Sequence, residues 1–327
     1  MSKRIEALDL LSFILALLIV VQHCIDLPLL CSNPFTILLN GATRLAVSLF
    51  FLTSSYFFWL KVKKAKYTFA SARKVIVRWG GMYVFWTCIH LSIYKFPWYY
   101  PTWGVLWFIY ALIVGNLIGY FIIRYVKNIK IIFIFIVVVF SFLIIGDEFY
   151  KLLNPNSILL HTVDKAYDIF KGISTTFIPA VGFSLLGFMF VERENVECCR
   201  EKTKGMLLLL FFLLFCGETY MAFVSQSYKA YGYFVLSAPT ACVVFSFFKD
   251  LAWKIPYSIL LKKLSSLIYL VHILFWIYWS KMYAGSFVVG SWYYNLDRFF
   301  YVISSTVLVS LIIIIISKKI KILRRFY

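Results

Sequence analysis

Apolar residues in this chain run in long unbroken stretches rather than alternating with polar ones. Ten stretches of roughly 17–23 residues, the length that crosses a bilayer as a helix, lie near 8–27, 43–60, 75–94, 102–123, 130–146, 173–191, 205–225, 231–248, 264–280 and 298–317. Most connections between them are too short to form a domain. Residues 1–327 therefore read as a single all-α, polytopic integral membrane helix bundle, with function inside the bundle or at its two mouths. The longest connection on one side, about 147–172, carries Asp147, Glu148, His161, Asp164 and Asp168 with Pro155, and is expected to be a solvated loop. The longest on the other, 61–74 (KVKKAKYTFASARK), is expected to lie on the membrane surface as a basic amphipathic stretch.

The basic residues give the bundle a direction. With the N-terminus inside, 25 of the 33 Lys and Arg fall in inside segments and 8 in outside ones. That bias holds loop by loop, as the positive-inside rule requires. It predicts ten crossings with both ends in the cytoplasm, in a cell membrane. Adding or dropping one helix would scramble the pattern.

Composition fits. A chain that is 62% hydrophobic and 14% charged, with mean hydropathy +0.86, is too apolar for a soluble globule. Its net charge of +19 sits in short loops beside helix ends, where it meets anionic lipid rather than nucleic acid. The first apolar run is followed by no small-residue cleavage site and is expected to stay as a signal anchor. The seven cysteines show no CxxC or metal spacing and read as small apolar packers, so neither a metal nor a bound cofactor is expected.

Ionisable groups deep in a membrane helix are costly and usually face an internal site. The shortlist is short: His23 and Asp26 in the first helix, Arg44 at the outer end of the second, His90, Glu218 and His272. His23 lies roughly 22 Å along its helix at 1.5 Å per residue, in the outer half. Asp26, three residues on, shares its face. This pair is the preferred catalytic candidate. His90 has no acidic neighbour in its helix and reads as structural. Ser265, Tyr269 and His272 form one helical stripe in SSLIYLVH, with packing and function equally open. Glu218 pairs with Arg44 or a histidine, or serves a site. Trp107 belongs either to the interfacial aromatic belt or to the site. On the inner side Arg73, Lys74 and Arg78 enter the third helix, either as plain anchors or as a phosphate site, for which the planar guanidinium is suited.

Several stretches resemble the acyltransferase-3 family of membrane acyltransferases, in family order over nearly the whole chain. They are RIEALDLLSFILALLIVVQH at the start, RLAVSLFFLTSSYFF (44–58), the basic entry to the third helix, LWFIYALIVG (106–115) and SSLIYLVH (265–272). The resemblance implies transfer of an acyl group, commonly acetyl, from cytoplasmic acyl-CoA to a sugar or other cell-surface acceptor. His23 matches the family's favoured catalytic histidine, and Arg44, Trp107, Tyr269 and His272 match other characteristic positions, here taken as substrate-binding together with Glu218. The chain departs from the pattern at Ser12, where the family has Arg, and at Ser48, Ser55 and Val105.

The chemistry implied is consistent with the residues. Histidine supplies a base near neutral pH, and Arg44, Tyr269 or the Trp107 N–H would stabilise an oxyanion. The spacing of His23 and Asp26 is H-x-x-D, not the H-x-x-x-D of another acyltransferase class. The competing reading is a glycan exporter or flippase built on broken helices at Pro179, Gly182 and Pro239; a non-catalytic membrane protein is a third. Gly115 and Gly119 form a GxxxG that reads as close helix packing.

Overall fold

The computed structural model describes residues 5–25, 34–94, 106–154, 156–170, 175–193, 201–225, 232–283, 292–320, 323 and 327. Among them are eleven α-helices and no strand: α1 (Glu6–Cys24), α2 (Pro34–Lys64), α3 (Phe69–Tyr94), α4 (Trp107–Tyr125), α5 (Ile129–Asp147), α6 (Ile158–Phe170), α7 (Ile178–Glu192), α8 (Glu201–Ser225), α9 (Ser237–Asp250), α10 (Ser258–Met282) and α11 (Trp292–Lys319). Ten coincide with the ten apolar stretches. Seven, α1, α2, α4, α5, α8, α10 and α11, are long and apolar enough to cross a membrane. Of the others, α7 and α9 have only 15 and 14 residues, and α3 contains Arg73, Lys74 and Arg78.

The helices alternate in direction, which contacts at their ends make plain. At the basic end Lys204, opening α8, pairs with Asp250, closing α9, and Ile255 N–H donates to Glu6 at the start of α1. At the far end Arg298, near the start of α11, donates to the carbonyl of Cys24, the last residue of α1, at 2.8 Å.

Exposure is inverted relative to a soluble protein. Phe133, Ile134, Val137 and Val138 on α5, Leu209, Leu210, Leu213 and Leu214 on α8, and Leu308 and Ile315 on α11 all face outward. Such a continuous apolar belt is stable only against lipid tails. The interior is drawn around α2, which packs on α1, α3, α4, α7, α8 and α9. Its Phe51, Tyr56 and Trp59 are fully buried. Without a hydrophobic drive between helices in lipid, close approach and buried hydrogen bonds hold them together. A Cβ at Gly115 would fall 2.5 Å from Ala180 Cβ on α7, and one at Gly119 2.5 Å from Ser184 Oγ, so the GxxxG is a contact surface for α7. Beside it Trp59 Nε1 donates to Ser184 Oγ, which donates to Asn116 Oδ1, joining α2, α7 and α4.

Three expectations need correcting. The segment 147–172 is not simply a loop: it contains a 3₁₀ turn (Tyr150–Leu152) and the helix α6, tied down by Tyr150 to Asp164 at 2.7 Å and Tyr167 to Asp147 at 2.6 Å. Residues 61–74 form no surface stretch: α2 runs on to Lys64, a turn occupies 65–67 with Lys66 and Tyr67 at positive φ, and α3 starts at Phe69. Pro179 and Pro239 sit in the first turns of α7 and α9, where proline's missing N–H costs nothing, so they start helices rather than break them.

Candidate active site

α1 is held between α2 and α10, and its buried stripe, Leu8, Leu11, Leu15, Ile19 and Val20, recurs at helical spacing. Ser265 on α10 donates to the carbonyl of Ser12 on α1 at 2.9 Å. Ser12 itself turns back to Leu8 O at 2.8 Å, which satisfies the hydroxyl at the position where the resembled family carries Arg. This register brings His23 and His272 together, their ring centroids 5.4 Å apart.

The two rings differ in environment. His272 is fully buried, and its Nδ1 lies 3.0 Å from the carbonyl of Ile268. A carbonyl only accepts, so Nδ1 carries the hydrogen and Nε2 presents a lone pair. Among the described residues Nε2 has no hydrogen-bond partner. His23, by contrast, retains exposed surface among the described residues. Arg44 lies within electrostatic reach of it. The side chain of Gln22, in the orientation that satisfies both ends, donates from its nitrogen to Thr43 O at 3.1 Å and accepts at its oxygen from Arg44 Nη1 at 3.3 Å. Gln22 thus links the far ends of α1 and α2.

One turn below His272, the Tyr269 ring stands 6.1 Å from it and 5.4 Å from Phe108. Tyr269 also lines a cleft of about 160 Å³ between α2, α3, α4 and α10, whose polar lining is Ser54, Ser265 and Ser266. Towards the basic end of the same helices Arg78 and Lys262 each lie within electrostatic reach of Lys61. Lys262 pairs with the buried Asp9 at 3.6 Å, and Arg78 Nη2 contacts Tyr327 O at 3.4 Å. Three cations gathered at one mouth favour an anion there.

Several sequence candidates fall elsewhere. Asp26 lies outside the described residues. Trp107 stacks edge-on against Phe51 at 5.9 Å, and it is Phe108 that touches Tyr269. Arg73 and Arg78, five residues apart, project about 140° apart around α3; Arg78 joins the cluster, whereas Arg73 shares the face of Phe69. His90 accepts the structural role expected of it, with Nε2 3.2 Å from Leu270 O. Glu218 is not brought to the histidines or to Arg44. Its carboxylate accepts the N–H of Leu236 at 2.9 Å, while Glu148 accepts Val235 N–H at 3.1 Å and Asp147 accepts Tyr233 N–H at 3.2 Å. Three carboxylates thereby satisfy the N–H groups leading into α9, where the helix dipole also favours negative charge.

Other residues escaped sequence reading. Gln22, Lys61, Lys262 and Arg298 take part through contacts between distant helices, and no local motif marks them. Arg298 is buried, bonds Cys24 O and Asn295 Oδ1, and lies over the Tyr294 ring at 4.9 Å. It fixes the α1 terminus next to His23.

The acyltransferase-3 family, described as an acyltransferase domain, matches residues 5–317. No curated protein and no solved structure matches the chain.

Proposed function

This chain belongs to the acyltransferase-3 family and is a membrane acyltransferase, and from that premise we propose that it moves an acyl group, acetyl in the simplest case, from cytoplasmic acyl-CoA to a hydroxyl of a cell-surface or lipid-linked glycan. The observation that carries this reading is the pairing of an exposed His23 with a buried His272 across α1 and α10. Along α10 the cleft at Tyr269 lies between His272 and Lys262.

In this reading the donor's phosphates sit at Arg78, Lys61 and Lys262 on the cytoplasmic side, and its thioester reaches up the cleft. Arg73, on another face of α3, is left to anchor the helix. His23 takes the proton of the acceptor hydroxyl as its oxygen attacks the thioester carbonyl. The C–S bond breaks, the thiolate of coenzyme A leaves, and the imidazolium returns the proton to it. Tyr269 and Arg44 stabilise the oxyanion formed in between. Asp26, three residues after His23 in the sequence, is assigned the role of orienting His23. His272 supports the His23 ring.

The test is acyl transfer to the surface glycan, read by mass spectrometry, in variants whose insertion is verified. His23→Ala and His23→Gln should both lose roughly 10²–10⁴-fold in transfer, and Asp26→Asn should lose less. Near-normal acylation by His23→Gln would make the imidazole structural.

A further inference from the structure

A second cavity lies apart from the cleft at Tyr269. It measures about 600 Å³ and opens at the basic end between the α2–α3 turn, the last turn of α4 and the last turn of α7. Its floor is aromatic, from Trp59, Tyr120 and Phe188, and its rim is cationic, from Lys66, Arg124 and Lys127. We propose that this cavity binds the phosphate headgroup of an anionic membrane lipid.

Its position separates it from the donor path. Trp59 projects about 180° around α2 from Phe50, which lines the Tyr269 cleft, and the two hollows share no lining residue. A ligand here cannot reach His23. The charge also needs a purpose. Glu192, the acid in the lining, is already engaged by Lys63 at 3.2 Å and by the Tyr67 hydroxyl. Burial and that carboxylate push the Tyr67 phenol upward, so it stays a neutral donor. Lys66, Arg124 and Lys127 form no ion pair among the described residues, yet they stand around one concavity. Orientation alone asks only that cations lie near helix ends; it does not ask that they ring an aromatic hollow.

The rim points to lipid rather than to a soluble phosphate ester. Phe69 lines the cavity and packs on Phe121 with ring centroids 6.1 Å apart, and both are exposed, as is Tyr125. The hollow therefore continues sideways onto the apolar outer face of α4. A headgroup can enter the cavity while its tails lie along that face, and aromatic rings at helix ends suit this depth.

The experiment is native mass spectrometry of the purified full chain in detergent, titrated with phosphatidylglycerol or phosphatidylcholine. Wild type should retain phosphatidylglycerol in clear preference. The variant K66Q/R124Q/K127Q should lose that preference by roughly fivefold per cation removed, while the equal-charge control K254Q/K263Q/K319Q keeps it. Should the triple variant fold poorly, photo-crosslinking of wild type with a headgroup-labelled phosphatidylglycerol decides instead, and label should fall in 66–69 and 120–127. Equal binding of the two lipids, equal loss in the control, or label elsewhere would overturn the proposal. Displacement of phosphatidylglycerol by millimolar glycerol 3-phosphate would assign the cavity to a soluble phosphate ester and overturn it as a lipid site.

Discussion

His272 turns Nδ1 to a backbone carbonyl and keeps Nε2 toward the interior, so its tautomer is set by the helix that carries it. Gln at this position cannot reproduce the imidazole ring that packs on His23. His272→Gln is expected to lower transfer, by less than His23→Gln, with insertion intact; unchanged turnover would leave His272 a packing residue. Glu148 offers a second test. Burial, with the Glu218 carboxylate beside it, pushes its carboxyl up to about 7, against the opposing hydrogen bond from Val235. A carboxyl raised on folding binds its proton more tightly in the folded state, so its contribution is fullest below the ordinary carboxylate range and is lost as pH rises through about 7. Wild type should therefore melt lower at about pH 8 than at about pH 5, and Glu148→Gln, which mimics the protonated acid, should flatten that slope. A slope unchanged in the variant would place the titration elsewhere. At this scale the sequence marked His23, His272, Tyr269 and Arg44, because an ionisable or polar group deep in an apolar run stands out. It misplaced Glu218, whose depth looked the same but whose partner, the N–H of Leu236, belongs to another helix. Nothing in a one-dimensional pattern distinguishes an acid that serves a helix end from one that serves a substrate.

Among elements, the meeting of α4 with α7 depends on absent side chains. A methyl at Gly115 would press on Ala180 Cβ and on backbone, which cannot rotate away, whereas one at Gly119 would meet the rotatable Ser184 hydroxyl. Gly115→Ala should destabilise the bundle by roughly 1–3 kcal/mol, and Gly119→Ala by less. Gly81→Ala, with nothing within 4 Å, should be silent. Thermal unfolding in detergent would show this order, and an equal effect at Gly81 and Gly115 would mean that helix contact is not what is being measured. The ten apolar helices were legible because a membrane helix must bond its own backbone along an unbroken apolar run. α6 was not, since its 13 residues mix charge with apolar positions and are held by Tyr167 and Tyr150, which act across the sequence. The 61–74 segment misled for the opposite reason: its charges suggested a surface helix, but the two positive-φ residues Lys66 and Tyr67 turn the chain at once.

The whole bundle has a polarity that reporter fusions can check. Fusions after Lys66, Arg200 and the C-terminus should report the cytoplasmic side, and fusions near Asn156 and Lys229 the opposite side; reversal in either half would remove the ten-crossing arrangement. The pairing of basic loops at one end and the carboxylate knot at the other follows the same axis. Two of its members are nevertheless short. At 15 and 14 residues, α7 and α9 extend only about 22 and 21 Å, against roughly 30 Å of hydrocarbon. In the proposed ten-crossing arrangement, lipid beside them thins, or water descends to meet them, at a modest cost for each ångström of mismatch. In the proposed transfer the acyl group thus travels less than a full membrane, and the thickness of the surrounding bilayer becomes a variable of the activity.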